Sequence, residues 1–441
     1  MTGGEAIDPR SARRRCCPVP TGMRVLLLLP YSPIPPTFGG ALRNYHLLKH
    51  LVRRHDVTVL TYGTPEVASS LAAALPLPRD RIRVVPMQWT RRHRRLAQLY
   101  ALSTGHSFFH LLVRRSRRMQ EALDELLSEH DFDLVQTEFT PMGSFNLRTD
   151  AVKVLDAHNV EYENHLRMSK HAASSVTALF YRREARLLIR EEREACRRQD
   201  AVFVTSAEDQ RLFDALAPAV PKFIIPNGVD TDYFAPAPPA SEPASLVFTG
   251  MMAYVPNHDG MRYFLDEIFP LVRREVPAAK VYIVGSRPPA ALLRRASDGV
   301  VVTGYVEDVR PFVARASAYV VPLRMGSGTR LKILEALAMK RPVVTTSIGC
   351  EGLAVSHGES ALVADEPLAF ARQVIDLLRD DELRKKLTRA GYDLVREQYD
   401  WSVVHRRVEE AYEEIRKRAF LQRIGRAHRG CRESQMAEHS S

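Results

Sequence analysis

Short apolar runs alternate with longer amphipathic stretches along most of the chain, and this alternating series occurs twice. The runs are rich in Val, Ile and Leu, as expected for buried parallel strands, and the stretches between them have helical periodicity. The strand-like runs are Val25 to Leu29, Val57 to Thr61, Arg83 to Val85, Leu134 to Thr137, Val152 to Leu155, Ala201 to Thr205 and Phe223 to Ile225, then Leu246 to Thr249, Lys280 to Val284, Val300 to Thr303, Ala318 to Val321 and Pro342 to Thr345. This order predicts an α/β fold with doubly wound, Rossmann-like sheets.

A proline-rich stretch separates the two series and predicts a linker between two domains of similar size. The 441 residues are enough for both domains to bury a core. A helical pattern follows the second series, and both ends of the chain lack periodicity. The predicted segments are a disordered leader (1–22), an N-terminal domain (23–234), the linker (235–243), a C-terminal domain (244–400), a helix (401–418) and a flexible basic tail (419–441).

Positive charge exceeds negative charge in this sequence. The 63 lysine and arginine residues outnumber 52 acidic residues, and the formal net charge is +11. Such an excess indicates a polyanionic partner without identifying it. The segment 91–118 contains eight arginines and no acidic residue, with leucine, phenylalanine and tyrosine between them. We therefore expect 91–118 to contact an anionic membrane surface; the alternative is a solvated helical hairpin whose apolar residues belong to the core.

Cysteine spacing and the length of the apolar runs bear on the cellular compartment. The five cysteines lack the C-x-x-C spacing of a zinc or redox site. No apolar run approaches the roughly 20 residues that span a bilayer. We expect a cytoplasmic protein that can lie peripherally on the inner face of the membrane.

The strongest local signal is a glycine-rich turn that follows a strand-like run and opens a helix. It runs from Arg324 to Ala338 and includes Gly326, Ser327, Gly328, Thr329, Arg330, Lys332 and Glu335. Glycines let the backbone approach a ligand, and the unpaired N–H groups of a helix start bind phosphate. The basic residues add positive charge, and Glu335 can accept hydrogen bonds from a ribose diol. We interpret this string as a nucleotide site, although a bare Gly-x-Gly turn is equally compatible with an ordinary buried helix.

Two further candidates follow strand-like runs of the first series. Gly39 and Gly40 precede a helix, and His158 follows the run that ends at Leu155. Because ligands of doubly wound sheets bind at the carboxyl ends of the strands, we expect these residues to face one crevice. Asp230-Thr231-Asp232 has a metal-binding form, but we interpret it as a turn and helix cap, and we assign no metal ligand.

Together these segments resemble the retaining glycosyltransferases of family 4, which have the GT-B fold. The resemblance rests on Gly39-Gly40, His158-Asn159, Pro226 to Asp230, Gly326 to Ala338 and Pro342 to Val344. Within the family, the Gly326 to Glu335 string and Phe248-Thr249-Gly250 are most similar to bacterial sugar transferases of exopolysaccharide and exosortase-associated loci. This similarity implies a role in building the cell envelope. The resemblance implies two Rossmann-like domains facing a cleft, with the last helix crossing back to the N-terminal domain.

The same resemblance implies a sugar transfer from a nucleotide-diphosphate sugar to a hydroxyl acceptor, lipid-linked or saccharide, with retention of anomeric configuration. On this reading Glu335 holds the ribose, His158 faces the donor sugar as the catalytic residue, and Gly39-Gly40 lie near the phosphates. Ser327 replaces the first glutamate of the family motif, and Met251 and the stretch around Pro256-Asn257 replace its arginine and lysine pair. We therefore expect Arg330 and Lys332, together with Arg324, to carry the phosphate charge. Neither a cofactor nor a metal is expected, because the leaving diphosphate itself takes the acceptor's proton.

Several other functions fit parts of the sequence. A sugar-nucleotide 2-epimerase shares the GT-B architecture, and the altered motif positions allow a non-catalytic nucleotide-sugar binding protein. A dehydrogenase is disfavoured because no Gly-x-Gly-x-x-Gly follows the first strand. Nucleic acid is not expected as a partner, since no RNA- or DNA-binding motif accompanies the charge.

Overall fold

The computed structural model describes residues 22–86, 105–108, 116–170, 172, 174–235, 242–326 and 328–438. Most of the predicted leader, the centre of the predicted linker, most of the basic segment 91–118, and Ser327 therefore lie outside the described residues.

Seven parallel strands form the sheet of the N-terminal domain, in the order β3-β2-β1-β4-β5-β6-β7. These strands are β1 (Arg24–Leu29), β2 (Asp56–Gly63), β3 (Ile82–Pro86), β4 (Leu134–Glu138), β5 (Val152–Ala157), β6 (Ala201–Val204) and β7 (Lys222–Ile224). The helices described between them are α1 (Gly39–Arg54), α2 (Glu66–Ala74), α3 (Arg117–Glu129), α4 (Glu161–Lys170), α5 (Ser175–Arg197) and α6 (Ala207–Leu216), with 3₁₀ turns at Arg79–Arg81 and Thr140–Ser144.

Six parallel strands form the sheet of the C-terminal domain, in the order β10-β9-β8-β11-β12-β13. These strands are β8 (Ser245–Thr249), β9 (Lys280–Val284), β10 (Val300–Gly304), β11 (Ala318–Val321), β12 (Val343–Thr345) and β13 (Leu362–Val363). The helices are α7 (Val255–Tyr263), continued by a π-helical turn (Phe264–Ile268), then α8 (Phe269–Glu275), α9 (Ala290–Leu293), α10 (Arg310–Arg315), α11 (Leu331–Ala338), α12 (Pro367–Arg379), α13 (Asp381–Gln398) and α14 (Trp401–Glu438).

The predicted doubly wound α/β fold is confirmed, and each predicted strand corresponds to an observed one. The sequence missed β13, which has two residues at the sheet edge, too few to show a periodicity. In both sheets the strand order reverses beside the first strand, between β1 and β4 and between β8 and β11. Ligands of such sheets bind at the carboxyl ends of the strands at this reversal.

Helix α14 returns to the N-terminal domain, as predicted. Its buried face packs into the same core as strands β1 and β2, and the residues on that face are Trp401, Val404, Val408, Ala411, Tyr412 and Ile415. At the start of the helix, the Trp401 ring stacks on His46 of α1, with ring centroids 4.5 Å apart. A Cβ atom on Gly228 would lie 2.6 Å from the same indole, so this glycine makes room for it. The helix thus completes the core of a domain that is distant in sequence.

The length of α14 differs from the prediction. The pattern predicted an end at Arg418 and a flexible tail over 419–441, whereas the helix continues to Glu438. Ile415 is the last buried residue of this face, and Ala419 one turn later packs against the same core while partly exposed. The apolar periodicity therefore fades near Arg418, but residues such as Ala419 and Leu421 retain good helix propensity. None of the helices in the described residues combines the length and apolarity needed to cross a bilayer.

Replacing Trp401 with alanine is expected to destabilise the protein by about 3–5 kcal/mol, because a large buried ring is lost from the junction of α1 and α14. Chemical denaturation would measure the change in the free energy of unfolding. Glu410→Ala, at an exposed position of the same helix, should change that free energy by no more than about 0.5 kcal/mol. Equal effects of the two substitutions would contradict a structural role for the docking of α14.

Candidate active site

A cleft of about 610 Å³ lies between the carboxyl edges of the two sheets. Clefts of this size accommodate small-molecule ligands. The N-terminal domain lines it with the loop after β1, the start of α1 and the residues after β5. The C-terminal domain lines it with the turn after β8 and the start of α11. Both sheets therefore contribute the edge at which doubly wound folds bind ligands.

Helices α1 and α11 begin on opposite sides of this cleft. Neither helix start has a side-chain cap or an acidic residue in its first turn. A Cβ atom on Gly39 would lie 3.5 Å from Leu331 Cδ1, which shows how closely the two starts approach. The first N–H groups of a helix lack intrahelical acceptors and carry the positive end of its dipole. The cleft between them is therefore suited to an anion.

Lys332 brings its ammonium group to the turn after β8. Its Nζ donates to Asn257 Oδ1 at 2.8 Å and lies 4.0 Å from the centroid of the Phe248 ring. Gly250 has φ +151°, and a Cβ atom there would lie 2.9 Å from the same Nζ, so a glycine leaves space for the lysine. Burial, with the charge of Arg330, lowers the pKa of Lys332 to about 7. This pKa makes the charge of Lys332 responsive to an anion in the cleft.

Arg330 is the second predicted phosphate ligand at the start of α11. Only 9% of it is exposed, and its guanidinium group donates to the Gly328 carbonyl. Arg324 behaves differently from the prediction. It makes a bidentate ion pair with Asp259, with Nη2 2.9 Å from Oδ1, and it is absent from the described cleft lining. The carboxylate of Asp259 holds Arg324 away from the cleft, so the C-terminal domain contributes Arg330 and Lys332 as the cations of the described lining.

Glu335 lies one helical turn beyond Leu331, on the face of α11 that lines the cleft. Burial raises its pKa to about 7, and the nearby Lys332 lowers it in part. A carboxylate here can accept two hydrogen bonds, as the ribose interpretation requires.

His158 lines the opposite wall and is held by a carboxylate. Its Nε2 lies 2.8 Å from Glu138 Oε2 at the end of β4, and both residues are buried. The other ring nitrogen points to the start of α1, since a Cβ atom on Gly40 would lie 3.4 Å from His158 Nδ1 and 2.3 Å from the Tyr31 hydroxyl. Gly40 thus allows the helix start, the histidine and Tyr31 to meet.

A buried ion pair lies beneath this wall. Arg43 of α1 binds Asp156 of β5 with Nε to Oδ2 at 2.9 Å and Nη2 to Oδ1 at 3.0 Å. Its Nη1 also donates to the Pro226 carbonyl and to Asn227 Oδ1, each at 3.1 Å. This one side chain joins α1, β5 and the segment after β7.

Glu138, Asp156 and His158 form a group whose ligand atoms lie within 4.8 Å of one another, a spacing that could hold a metal ion. Both Asp156 oxygens, however, accept from Arg43, and the Glu138 carboxylate accepts from Gln136 as well as facing His158. A metal would have to displace these donors, so we assign none. Asp230 Oδ1 accepts from the backbone of Asp232 and Tyr233, in agreement with its interpretation as a turn.

The structure brings most of the predicted site residues together. The residues in the cleft lining are Gly39, Gly40, His158, Gly328, Thr329, Arg330, Lys332 and Glu335. Gly326 is not part of the described lining; it has φ +121° and lies against the Arg330 side chain. Ser327 lies outside the described residues.

Sequence reasoning missed Glu138, Arg43 and Tyr31. Glu138 ends a strand next to β1 and β5, so the rule that selected His158 could have found it. Arg43 has no comparable signal, because its partner Asp156 lies 113 residues away.

Two family domains cover most of the chain. Residues 39–233 match the family described as Glycosyltransferase Family 4, and residues 243–380 match that described as Glycosyl transferases group 1. The chain belongs to the glycosyltransferase family that these two domains define.

Curated relatives of this family 4 chain match it over part of their length. A phosphatidyl-myo-inositol mannosyltransferase of Mycobacterium leprae is 32% identical over 203 residues, which are 43% of this chain and 53% of that protein. An uncharacterized 44.6 kDa protein in the cps region of Klebsiella pneumoniae is 26% identical over 35% of this chain and 42% of its own length. The chain thus spans about half the length of the curated relatives it matches.

Solved structures share the fold of this family 4 chain over nearly its whole length. Sucrose-phosphate synthase from Thermosynechococcus elongatus aligns with a TM-score of 0.64 and 18% identity, over 89% of this chain and 99% of that one. Anabaena HepE in complex with UDP-glucose aligns with a TM-score of 0.63 and 15% identity, over 89% and 100%. These likenesses establish a GT-B arrangement of two Rossmann-like domains.

Lys332 and Glu335 predict a pH optimum for nucleotide binding near 7. Below its pKa, Lys332 carries the charge that attracts phosphate; above its pKa, Glu335 carries the charge that attracts ribose hydroxyls. The affinity for UDP or GDP, measured by calorimetry from about pH 5 to about pH 9, should therefore fall on both sides by up to about tenfold per pH unit.

Two variants test separately the fall in nucleotide affinity above and below neutral pH. Lys332→Met should flatten the alkaline limb and Glu335→Gln the acid limb, while the titration of the nucleotide itself is common to all the proteins. Profiles of the same shape in both variants and in the parent protein would refute the assignment.

Proposed function

We propose that this protein transfers a sugar from a nucleotide-diphosphate sugar to a hydroxyl acceptor with retention of anomeric configuration. The observation that carries the proposal is the cleft, in which two helix starts, Arg330, Lys332, Glu335 and His158 converge. The helix starts and the two cations suit a diphosphate, Glu335 suits the ribose, and His158 lies across the cleft from them. No cofactor enters the proposed reaction, because the nucleotide sugar is itself a substrate.

The proposed chemistry relies on electrostatic stabilisation. As the bond from the sugar to the diphosphate breaks, negative charge grows on the leaving oxygen. The uncapped starts of α1 and α11, together with Arg330 and Lys332, supply the positive charge that stabilises it. The leaving diphosphate takes the proton of the acceptor hydroxyl, whose oxygen forms the new glycosidic bond on the same face. His158 Nδ1 contacts a hydroxyl of the donor sugar and orients it.

The relatives support a nucleotide-sugar donor and an envelope-related acceptor. The Mycobacterium leprae relative is a phosphatidyl-myo-inositol mannosyltransferase, the Klebsiella pneumoniae relative lies in a cps region, and HepE was solved with UDP-glucose. We accordingly propose a bacterial, lipid-linked or polysaccharide-precursor acceptor in exopolysaccharide biosynthesis, with the reaction on the cytoplasmic side of the membrane.

A thermal-shift panel of UDP-, GDP- and ADP-sugars tests the donor, since a true ligand raises Tm with its concentration. The best ligand then enters transfer assays with lipid-linked and saccharide acceptors, and NMR of the product reports its anomeric configuration. Arg330→Ala combined with Lys332→Ala should weaken nucleotide binding roughly 100-fold, because two charge-assisted contacts are lost.

The matched control for this double variant is Lys385→Ala with Arg389→Ala, which removes the same charge from exposed positions of α13 in the same domain. Epimerisation of UDP-GlcNAc without an acceptor would replace the transferase proposal by the 2-epimerase. Tight binding with neither transfer nor hydrolysis would support a non-catalytic nucleotide-sugar binding protein.

An exposed apolar ridge on α5 supports a membrane-facing role for the N-terminal domain. Val176 and Leu179 are 80% and 68% exposed at adjacent positions of one helix face, and exposed arginines follow at 182 and 186. The same helix binds the described part of the basic segment, because Glu184 Oε2 accepts from the Phe108 amide at 2.7 Å. Apolar side chains next to arginines are typical of surfaces that bind anionic lipid. We propose that this ridge and segment 91–118 together contact an anionic membrane.

Val176→Glu combined with Leu179→Glu should abolish co-flotation with vesicles that contain phosphatidylglycerol, since both the apolar contact and the local positive charge are reduced. Leu368→Glu is the matched control, because Leu368 is also 68% exposed but belongs to the C-terminal domain. If the parent protein does not float with these vesicles, or if the two variants behave alike, the proposed surface is wrong.

A further inference from the structure

A buried chain of hydrogen bonds connects the crossing helix α14 with the cleft. The Tyr412 hydroxyl donates to Gln136 Oε1, Gln136 Nε2 donates to Glu138 Oε1, and Glu138 Oε2 lies 2.8 Å from His158 Nε2. The four residues are between 0% and 5% exposed. These hydrogen bonds start at Tyr412 on α14, a helix that follows the C-terminal domain in sequence. They end at His158, a residue of the proposed donor site.

The donors and acceptors in this chain have fixed directions. Burial raises the pKa of the Tyr412 phenol, so it stays protonated and can donate. Because a carboxylate can only accept, the amide nitrogen of Gln136 faces Glu138, and its carbonyl oxygen faces the Tyr412 hydroxyl. Glu138 therefore receives a hydrogen bond on one oxygen and offers the other to the histidine. Gln136 and Glu138 can act together because alternate residues of a strand lie on the same face.

The position of the histidine ring is also fixed by its surroundings. Phe139, directly after Glu138, has φ +78°, an unfavourable conformation for a residue with a side chain, and its amide donates to the Asp156 carbonyl at 2.8 Å. Its ring meets the His158 ring edge-on, with centroids 5.6 Å apart. Gly40 lies against the Nδ1 side. The ring is thus held on both sides, and only its protonation pattern is left to be set.

Other charged groups surround this pair. Asp156 lies beside Glu138, and the Asp156 charge is compensated by the bidentate contact with Arg43. Glu161, at the start of α4, and Tyr31 are further titratable groups near the histidine among the described residues. Burial, followed by the charge of Asp156, raises the pKa of Glu138, and the hydrogen bonds from His158 and Gln136 offset part of that rise.

We infer that Glu138 is a positioning residue that accepts a hydrogen bond from the Nε2–H of His158, and that Gln136 and Tyr412 hold its carboxylate for this purpose. Nδ1 is then the unprotonated ring nitrogen on the Gly40 side of the cleft lining, where it can accept a hydrogen bond from a hydroxyl group. In the other tautomer Nδ1 would be a donor and could not accept. The catalytic consequence rests on the proposed function, in which that hydroxyl belongs to the donor sugar, but the tautomer is a property of the ligand-free protein.

Ring-nitrogen NMR of isotope-labelled histidine measures this tautomer directly. Above neutral pH, the His158 signals, identified by their loss in His158→Ala, should show a protonated Nε2 and an unprotonated Nδ1. Glu138→Gln keeps the volume but has one acceptor oxygen for two donors, so its amide nitrogen can face the ring and reverse the pattern. Turnover should then fall on the order of 100-fold, while the Kd of UDP or GDP, which lack the sugar, stays unchanged.

Tyr412→Phe tests the far end of the chain with a milder substitution. Loss of its hydroxyl frees the Gln136 amide to rotate, so we expect a mixture of His158 tautomers and an intermediate loss of turnover. Tyr263→Phe is the matched control. Tyr263 is also buried and lies in the C-terminal domain, where its hydroxyl donates to the Asp365 carbonyl at 3.0 Å and takes no part in the hydrogen bonds between Tyr412 and His158. If Tyr412→Phe has the same His158 signals and turnover as this control, the role of Tyr412 is overturned.

The positioning role and the transferase proposal fail in different measurements. An unprotonated Nε2 in the parent protein would overturn the positioning role even if sugar transfer is observed, and this measurement does not require Glu138→Gln to fold. The predicted tautomer in a protein that binds no nucleotide sugar would leave the positioning role intact and refute the transferase proposal.

Discussion

The N-terminal wall of the cleft depends on the ion pair between Arg43 and Asp156. Both side chains are almost completely buried, at 1% and 0% exposure. Removing either partner would leave an uncompensated charge in the interior, which costs several kcal/mol. Arg43 lies one turn after Gly39-Gly40, and Asp156 lies two residues before His158. The pair therefore fixes the distance between the start of α1 and the histidine, and its further contact with Asn227 adds the segment after β7 to the same wall.

Each wall of the cleft combines cationic and anionic side chains. The C-terminal wall has Arg330 and Lys332 together with Glu335, and the N-terminal wall has Arg43, whose charge is compensated by Asp156. The net charge of +11 does not reveal this local arrangement, because a site is defined by a few groups whose fields are not screened by water.

Sequence reasoning identified the parts of the site that lie within single segments. Gly39-Gly40 and His158 follow strand-like runs of one sheet, and parallel strands of one sheet end at the same edge, so their convergence could be predicted. The start of α11 belongs to the second sheet, and only the family resemblance implied that it faces the same cleft. The partners of these residues could not be predicted. Lys332 meets Asn257 from 75 positions away because α7 folds back over the turn after β8, and Tyr412 reaches Gln136 across 276 positions. No periodicity encodes such contacts. Arg324 shows the converse error, since its place in the motif does not reveal its pairing with Asp259.

The chain passes between the two domains twice, and the two passages lie side by side. The Val229 amide donates to the Tyr399 carbonyl at 2.8 Å, and the Trp401 amide donates back to the Val229 carbonyl at 3.3 Å. Because the connections are hydrogen-bonded to each other, rotation of one domain against the other must turn both together. Outside the cleft lining, the domains also meet through contacts such as the ion pair of Arg167 with Glu351, whose side chains are 23% and 31% exposed. Partly exposed pairs of this kind contribute little stability. The hydrogen-bonded passages thus couple the two connections, and α14 continues from them into the N-terminal core and, through Tyr412, toward His158.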